Sequence, residues 1–92
     1  MSGAIAEAKV EKKFDVDVIY NGQEKKFKVE PAETVKQLLD QAIKKFDAQQ
    51  PHLLALYTAA GQELTNESDT LGQAGVKPDD KLLLRPSQVR GG

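Results

Sequence analysis

From Phe14 the chain alternates between apolar and polar positions. Phe14, Val16, Val18 and Tyr20 are separated by Asp15, Asp17 and Ile19, the two-residue period of a strand with one buried face. Asn21-Gly22 follows, two residues that tolerate positive φ and mark a tight hairpin turn. Phe27 and Val29 then alternate with Lys26 and Lys28, so the pattern predicts a β-hairpin. Pro31 ends the second strand and the period lengthens. Val35, Leu38, Leu39, Ala42, Ile43 and Phe46 fall on one stripe of a helix of about three turns, opposite Lys36, Asp40, Lys44 and Lys45. Thr34 and Gln37 have the spacing of a capping box, which makes Thr34 the expected N-cap.

A polar loop over 47–51 returns the chain to the sheet, and "HLLALYT" predicts a third strand. Its facing has two solutions: Leu54 and Leu56 inward, or Leu53, Ala55 and Tyr57. The first is preferred, because it buries two leucines and leaves the Tyr57 hydroxyl in water. "AAGQEL" is a glycine turn leading into a very short strand at Leu64. Ser68, Asp69 and Thr70 are candidate caps for a single turn around Leu71, and Val76 returns to the core. After the turn Lys77-Pro78-Asp79-Asp80, "KLLLR" forms the last strand, with Leu82 and Leu84 inward and Leu83 and Arg85 outward. Pro86 has no N–H for the ladder and closes the pairing.

Composition narrows the function. Ninety-two residues suffice for one modest core. A chain 39% hydrophobic and 29% charged is an ordinary globular sequence. Cysteine is absent and His52 is the single histidine, which removes disulfides, thiolate metal sites, a cysteine nucleophile and the histidine pairings of metal sites and triads. The expectation is a protein that is no enzyme and carries no cofactor or metal. A net charge of −1 gives no field to hold nucleic acid, and a single Arg-Gly-Gly without interleaved aromatics does not read as an RNA-binding element. No apolar run approaches the roughly eighteen residues of a membrane span. The start lacks a basic segment ahead of an apolar one, so a monomer in the cytoplasm is expected. The chain divides into a flexible tail over 1–13, a domain over 14–86 and a flexible tail over 87–92 that ends in Val89-Arg90-Gly91-Gly92.

Hairpin, helix, strand, short strand, capped turn and final strand is the β-grasp order. "VEPAETVKQLL" resembles the ubiquitin-like segment in which a hydrophobic-acidic-Pro triplet leads through a capping Thr into the helix. "AGQEL" is similar to that family's turn after the third strand, "DTLGQAGVKPDDKLLL" to its capped turn and last strand, and "RGG" to its C-terminus. The likeness runs from about Phe14 to Gly92. Extra residues between Leu64 and Thr70, near the third strand's end and in the tail separate the chain from ubiquitin itself. In look it stands closer to divergent bacterial ubiquitin-like proteins encoded beside E1-, E2- and deubiquitinase-like enzymes. The fold so implied is α+β, a mixed sheet of four to five strands packed on one helix.

The resemblance also implies chemistry. An E1-like enzyme and ATP would adenylate the Gly92 carboxylate, an E2-like cysteine would carry the acyl group as a thioester, and a lysine amine of a target protein would receive it. A deubiquitinase-like protease of the JAB/MPN type would be a further partner. Gly92 is then the reacting residue and Gly91 the clearance behind it, since glycine places no Cβ in a narrow channel. Val89, Arg90 and Arg85 would be read by these enzymes, the arginines through charge-assisted contacts. Partners of such domains bind the sheet face opposite the helix, where Tyr57 and Leu83 would lie beside Arg85. Two alternatives use the same fold: a sulfur carrier ending in a thiocarboxylate, and a docking domain that never reacts.

Overall fold

Two strands joined by the expected turn begin the fold. The computed structural model describes residues 13–88. Strands β1 (Phe14–Tyr20) and β2 (Gln23–Val29) pair antiparallel from Phe14↔Val29 to Tyr20↔Gln23. Asn21 and Gly22 both take positive φ, 51° and 80°, the conformation in which a two-residue loop matches the twist of its strands. Val16, Val18, Phe27 and Val29 turn inward and are buried.

Helix α1 (Val35–Phe46) packs on that face through Val35, Leu38, Leu39 and Ala42. Its start is the predicted capping box. The Gln37 N–H donates to Thr34 Oγ1 at 3.1 Å, and the Thr34 N–H donates to Gln37 Oε1 at 2.8 Å. Other first-turn donors are met from a distant loop: the Val35 N–H reaches the Asp69 carbonyl at 2.9 Å and the Lys36 N–H the Glu67 carbonyl at 3.1 Å. These are groups that the helix cannot satisfy within itself. Asp47 ends the helix in the left-handed region at φ 52°.

A short 3-10 turn (Pro51–Leu53) leads to β3 (Leu54–Thr58), and β4 (Lys81–Pro86) completes a sheet of order β2-β1-β4-β3. β1 and β4 are parallel, and the other two pairings are antiparallel. The short strand expected at Leu64 shrinks to one bridge between Tyr57 and Glu63, with the Leu64 N–H donating to the Leu56 carbonyl at 2.8 Å. Beyond Leu64 the chain leaves the sheet to present Glu67 and Asp69 to the helix start. Thr70 then forms a second box, exchanging bonds of 3.1 and 2.9 Å with Gln73. That turn seats Leu71 in the core and joins the first box through a bridge between Thr70 and Thr34.

Candidate functional site

The sheet face away from α1 is built by strand alternation. In β4, Leu82 and Leu84 are buried in the core, so Lys81, Leu83 and Arg85 occupy the opposite face. In β1 the same logic places Asp17 and Ile19 there, and in β3 Ala55 and Tyr57. The parallel ladder sets Leu83 beside Ile19, while the antiparallel ladder sets it beside Tyr57 and puts Arg85 beside Ala55. Leu83 therefore sits between an isoleucine and a tyrosine in the middle of the outer face.

Their exposures differ from expectation. Leu54 and Leu56 face the core as preferred, but Ala55 and Tyr57 are buried as well, Tyr57 to 5% exposure. The expected wet hydroxyl and a contact role for Tyr57 are thus corrected. The chain past Pro86 folds over the ring. The Tyr57 hydroxyl donates to the Pro86 carbonyl at 2.7 Å and stands 3.1 Å from Glu63 Oε1. The Gln88 N–H is shared between Tyr57 Oη at 3.1 Å and Glu63 Oε1 at 3.0 Å, and the Ser87 hydroxyl donates to Glu63 Oε2. The Ser87 N–H closes the arrangement on the Leu53 carbonyl at 2.7 Å. A buried phenol with its own internal partners has no need of water. Burial pushes its pKa above the ordinary value, and the hydrogen bond to Glu63 adds to the rise.

Ser87 and Gln88, assigned from sequence to a flexible tail, are consequently fastened to the sheet. Val89, Arg90, Gly91 and Gly92 lie outside the described residues. Leu83 and Ile19 remain half-buried and Arg85 exposed, and Arg85 makes no ion pair among the described residues. Charges ring the apolar pair on the β2 side: Asp17 lies 3.6 Å from Lys26 and 3.9 Å from Lys81, and Lys81 donates to Glu24 at 3.0 Å. That last bond is the chief cause raising the Lys81 pKa. Sequence reasoning missed Ile19 as part of this surface. Its signal was an apolar side chain on the same phase of β1 as Asp15 and Asp17.

Elsewhere, His52 is exposed in the 3-10 turn and lines an open groove with Leu39, Ile43, Ala48 and Pro51. No group of three or more His, Cys, Asp or Glu side chains fit to hold a metal occurs among the described residues. No helix among them is long and apolar enough to cross a membrane.

Residues 18–82 match the family described as TUG ubiquitin-like domain. No curated protein is matched. Among solved structures, the ubiquitin-like domain of an Arabidopsis thaliana protein is 22% identical with a TM-score of 0.71, over 86% of this chain and 83% of that one. The ubiquitin of Caldiarchaeum subterraneum is 22% identical with a TM-score of 0.71, over 87% of this chain and 100% of its own. A protein designed on the basis of ubiquitin is 20% identical with a TM-score of 0.72, over 87% and 95%. The mixed four-stranded sheet with its one helix is a ubiquitin-like β-grasp fold.

Proposed function

The chain belongs to the TUG ubiquitin-like domain family, and on that premise we propose that it is a docking domain bound by a partner protein through the outer sheet face at Leu83, Ile19 and Arg85. One observation carries this reading. In the run Leu82-Leu83-Leu84 the outer leucines are buried to 1% and 2% exposure, while Leu83 points the other way against Ile19 and is only half-buried. An apolar pair at the centre of a sheet face, rimmed by charge, has the layout of an interface core with its polar rim. Arg85 supplies a cation at the edge, a residue type favoured in interfaces because its planar fork makes several charge-assisted bonds.

A second reading, conjugation, is favoured by the sequence Arg90-Gly91-Gly92, which follows the last strand closely. Here Gly92 would be the acyl donor, with Val89, Arg90 and Arg85 as recognition elements. The partners would be an E1-like enzyme using ATP, an E2-like enzyme, a JAB/MPN-type protease and target lysines. A sulfur carrier would share the ATP-dependent activation of Gly92 but end there in a thiocarboxylate.

One experiment separates these readings. A photoreactive amino acid at Lys81, exposed on the same face of β4, captures partners in lysate from the otherwise intact chain, from a Leu83→Asp chain and from a chain lacking Gly91-Gly92. Docking predicts adducts that survive ATP depletion and loss of the glycines and disappear with Leu83→Asp. Adducts that form without light, need ATP and Gly92, and divide into thiol-released enzyme thioesters and thiol-resistant lysine amides would replace docking with conjugation.

A further inference from the structure

Tyr57, Leu83 and Ile19 form one row across the outer face, since Leu83 is the ladder partner of Tyr57 in β3 and of Ile19 in β1. Leu83 and Ile19 are half-buried, whereas Tyr57 is only 5% exposed. The difference comes from the chain just past β4. At Ser87 it still follows the sheet, with its N–H on the Leu53 carbonyl at 2.7 Å. One residue later it has crossed to the phenol, where the Gln88 N–H lies 3.1 Å from Tyr57 Oη. Ser87 and Gln88 thus form a strap over one end of the row.

The strap is fastened by polar bonds. Glu63 accepts the Ser87 hydroxyl on one carboxylate oxygen and the Gln88 N–H on the other, the latter at 3.0 Å. The Tyr57 hydroxyl donates to the Pro86 carbonyl at 2.7 Å. None of residues 86–88 belongs to the hydrophobic core, and Pro86 and Gln88 are exposed. The apolar surface beneath the strap is the ring of Tyr57, which lies outside the core cluster. Glu63 is itself only half-buried, so water can replace the bonds that an opening strap gives up. A segment held by hydrogen bonds with few apolar contacts lies at the low-stability end of a fold and opens locally. Leu82 and Leu84 of β4 are buried on the far side of the sheet and need not move with it.

We propose that Ser87 and Gln88 are an autoinhibitory strap on the docking face, which opens while the rest of the domain stays folded and so adds Tyr57 to Leu83 and Ile19 as contact surface. This inference rests on the docking function proposed above and supplies its regulation. Tyrosine is among the residues that dominate protein interfaces, so a partner that reads the whole row binds the open form better than the closed one. Its apparent affinity is then lowered in proportion to the fraction of chains that are open. Opening also offers the Glu63 carboxylate and the Leu53 carbonyl to donors of the partner, in place of Ser87 and Gln88. A partner of the open form therefore presents an apolar side chain to the row and N–H donors above β3, as the strap itself does.

The test uses the full chain and opens the strap in two independent ways. Glu63→Ala removes the carboxylate, whereas Ser87→Ala combined with Gln88→Pro removes the hydroxyl and the N–H that it accepts, with no change in charge. In the parent, the Ser87 and Gln88 amides should exchange hydrogen at least about tenfold faster than those of Leu82 and Leu84. Tetranitromethane, which nitrates accessible tyrosines, should modify Tyr57 about tenfold faster in both variants than in the parent. Tyr20 packs on Phe46, and an unchanged rate there shows that a variant is folded; if one variant fails this control, the other carries the test. Anilinonaphthalene sulfonate, as an apolar probe, should bind the Ser87→Ala, Gln88→Pro chain more tightly than the parent. Adding the neutral Leu83→Ser should remove that gain. Exchange and nitration need no partner, which keeps a failure of the strap distinct from a failure of docking at Leu83. Strap amides that exchange only together with Leu82 and Leu84, Tyr57 nitration unmoved by both variants, or a dye gain that survives Leu83→Ser would each overturn the proposal.

Discussion

Tyr57 and Leu83 face one another across the β3–β4 ladder on the same side of the sheet, yet Leu83 is only half-buried while Tyr57 is buried. The cause lies in the residues that converge on the phenol. Glu63 arrives from the glycine turn, and Pro86, Ser87 and Gln88 arrive from the end of β4. Together they close the β3 side of the outer face. The proposed docking surface therefore centres nearer β1 than the strand pattern alone would place it.

Tyr57→Phe keeps the ring and removes the hydroxyl. The Pro86 carbonyl then loses its donor, while the Gln88 N–H retains Glu63. The expected loss is about 0.5–1.5 kcal/mol, the net worth of one part-buried hydrogen bond, measured by urea denaturation at neutral pH. A variant as stable as the parent would show that the hydroxyl does not hold the end of β4.

The same phenol sets a pH dependence. Burial raises its folded pKa above the ordinary 10.0, so above about pH 10 the unfolded chain gives up this proton before the folded one does. The unfolded state then binds fewer protons, and stability falls as pH rises until the folded pKa is passed. Below about pH 10 the group contributes no slope. Urea midpoints near pH 8 and pH 11 should therefore diverge more for the parent than for Tyr57→Phe.

The linked caps Thr34 and Thr70 should behave as a unit. Thr34→Ala is expected to cost about 1 kcal/mol through loss of the N-cap acceptor, and Thr70→Ala a similar amount. Because a bridge joins the two residues, the double variant should depart from additivity by about 0.5 kcal/mol or more. Strict additivity in a double-mutant cycle would separate the two boxes.

Gly22 and Gly72 offer a contrast in backbone. Gly22 has φ +80° with open space around a built Cβ, so Gly22→Ala is resisted by conformation alone, at about 1–2 kcal/mol. A Cβ at Gly72 would meet its nearest atom, the Pro31 carbonyl oxygen, at 3.6 Å, an ordinary contact. Gly72→Ala should leave the thermal midpoint unchanged or raise it slightly, since it restricts the unfolded chain.

What was legible in the sequence was local. Asn21-Gly22 announces its turn because few residues accept positive φ, and Thr34 with Gln37 announces the helix start because the two groups satisfy each other across three positions. The facing of β3 was legible only in part. Leu54 and Leu56 declare the core side, but the burial of Tyr57 depends on Pro86 and Gln88, which are 29 and 31 positions away. The short strand at Leu64 failed for a similar reason, since first-turn donors of α1 draw Glu67 and Asp69 away from the sheet. Ile19 was overlooked because a single apolar residue on a charged strand face has meaning only once Leu83 stands beside it.

Binding of a partner through Leu83 and its neighbours can be tested with a matched pair of substitutions. Leu84→Ala opens a cavity in the core and should cost about 2–5 kcal/mol, while Leu83→Asp on the opposite face should cost about 1 kcal/mol or less. The decisive measurement is the affinity of the partner captured by the intact chain, compared between the parent and Leu83→Asp at equal folded fraction. A loss of at least about tenfold is expected. Affinity unchanged by Leu83→Asp would contradict it.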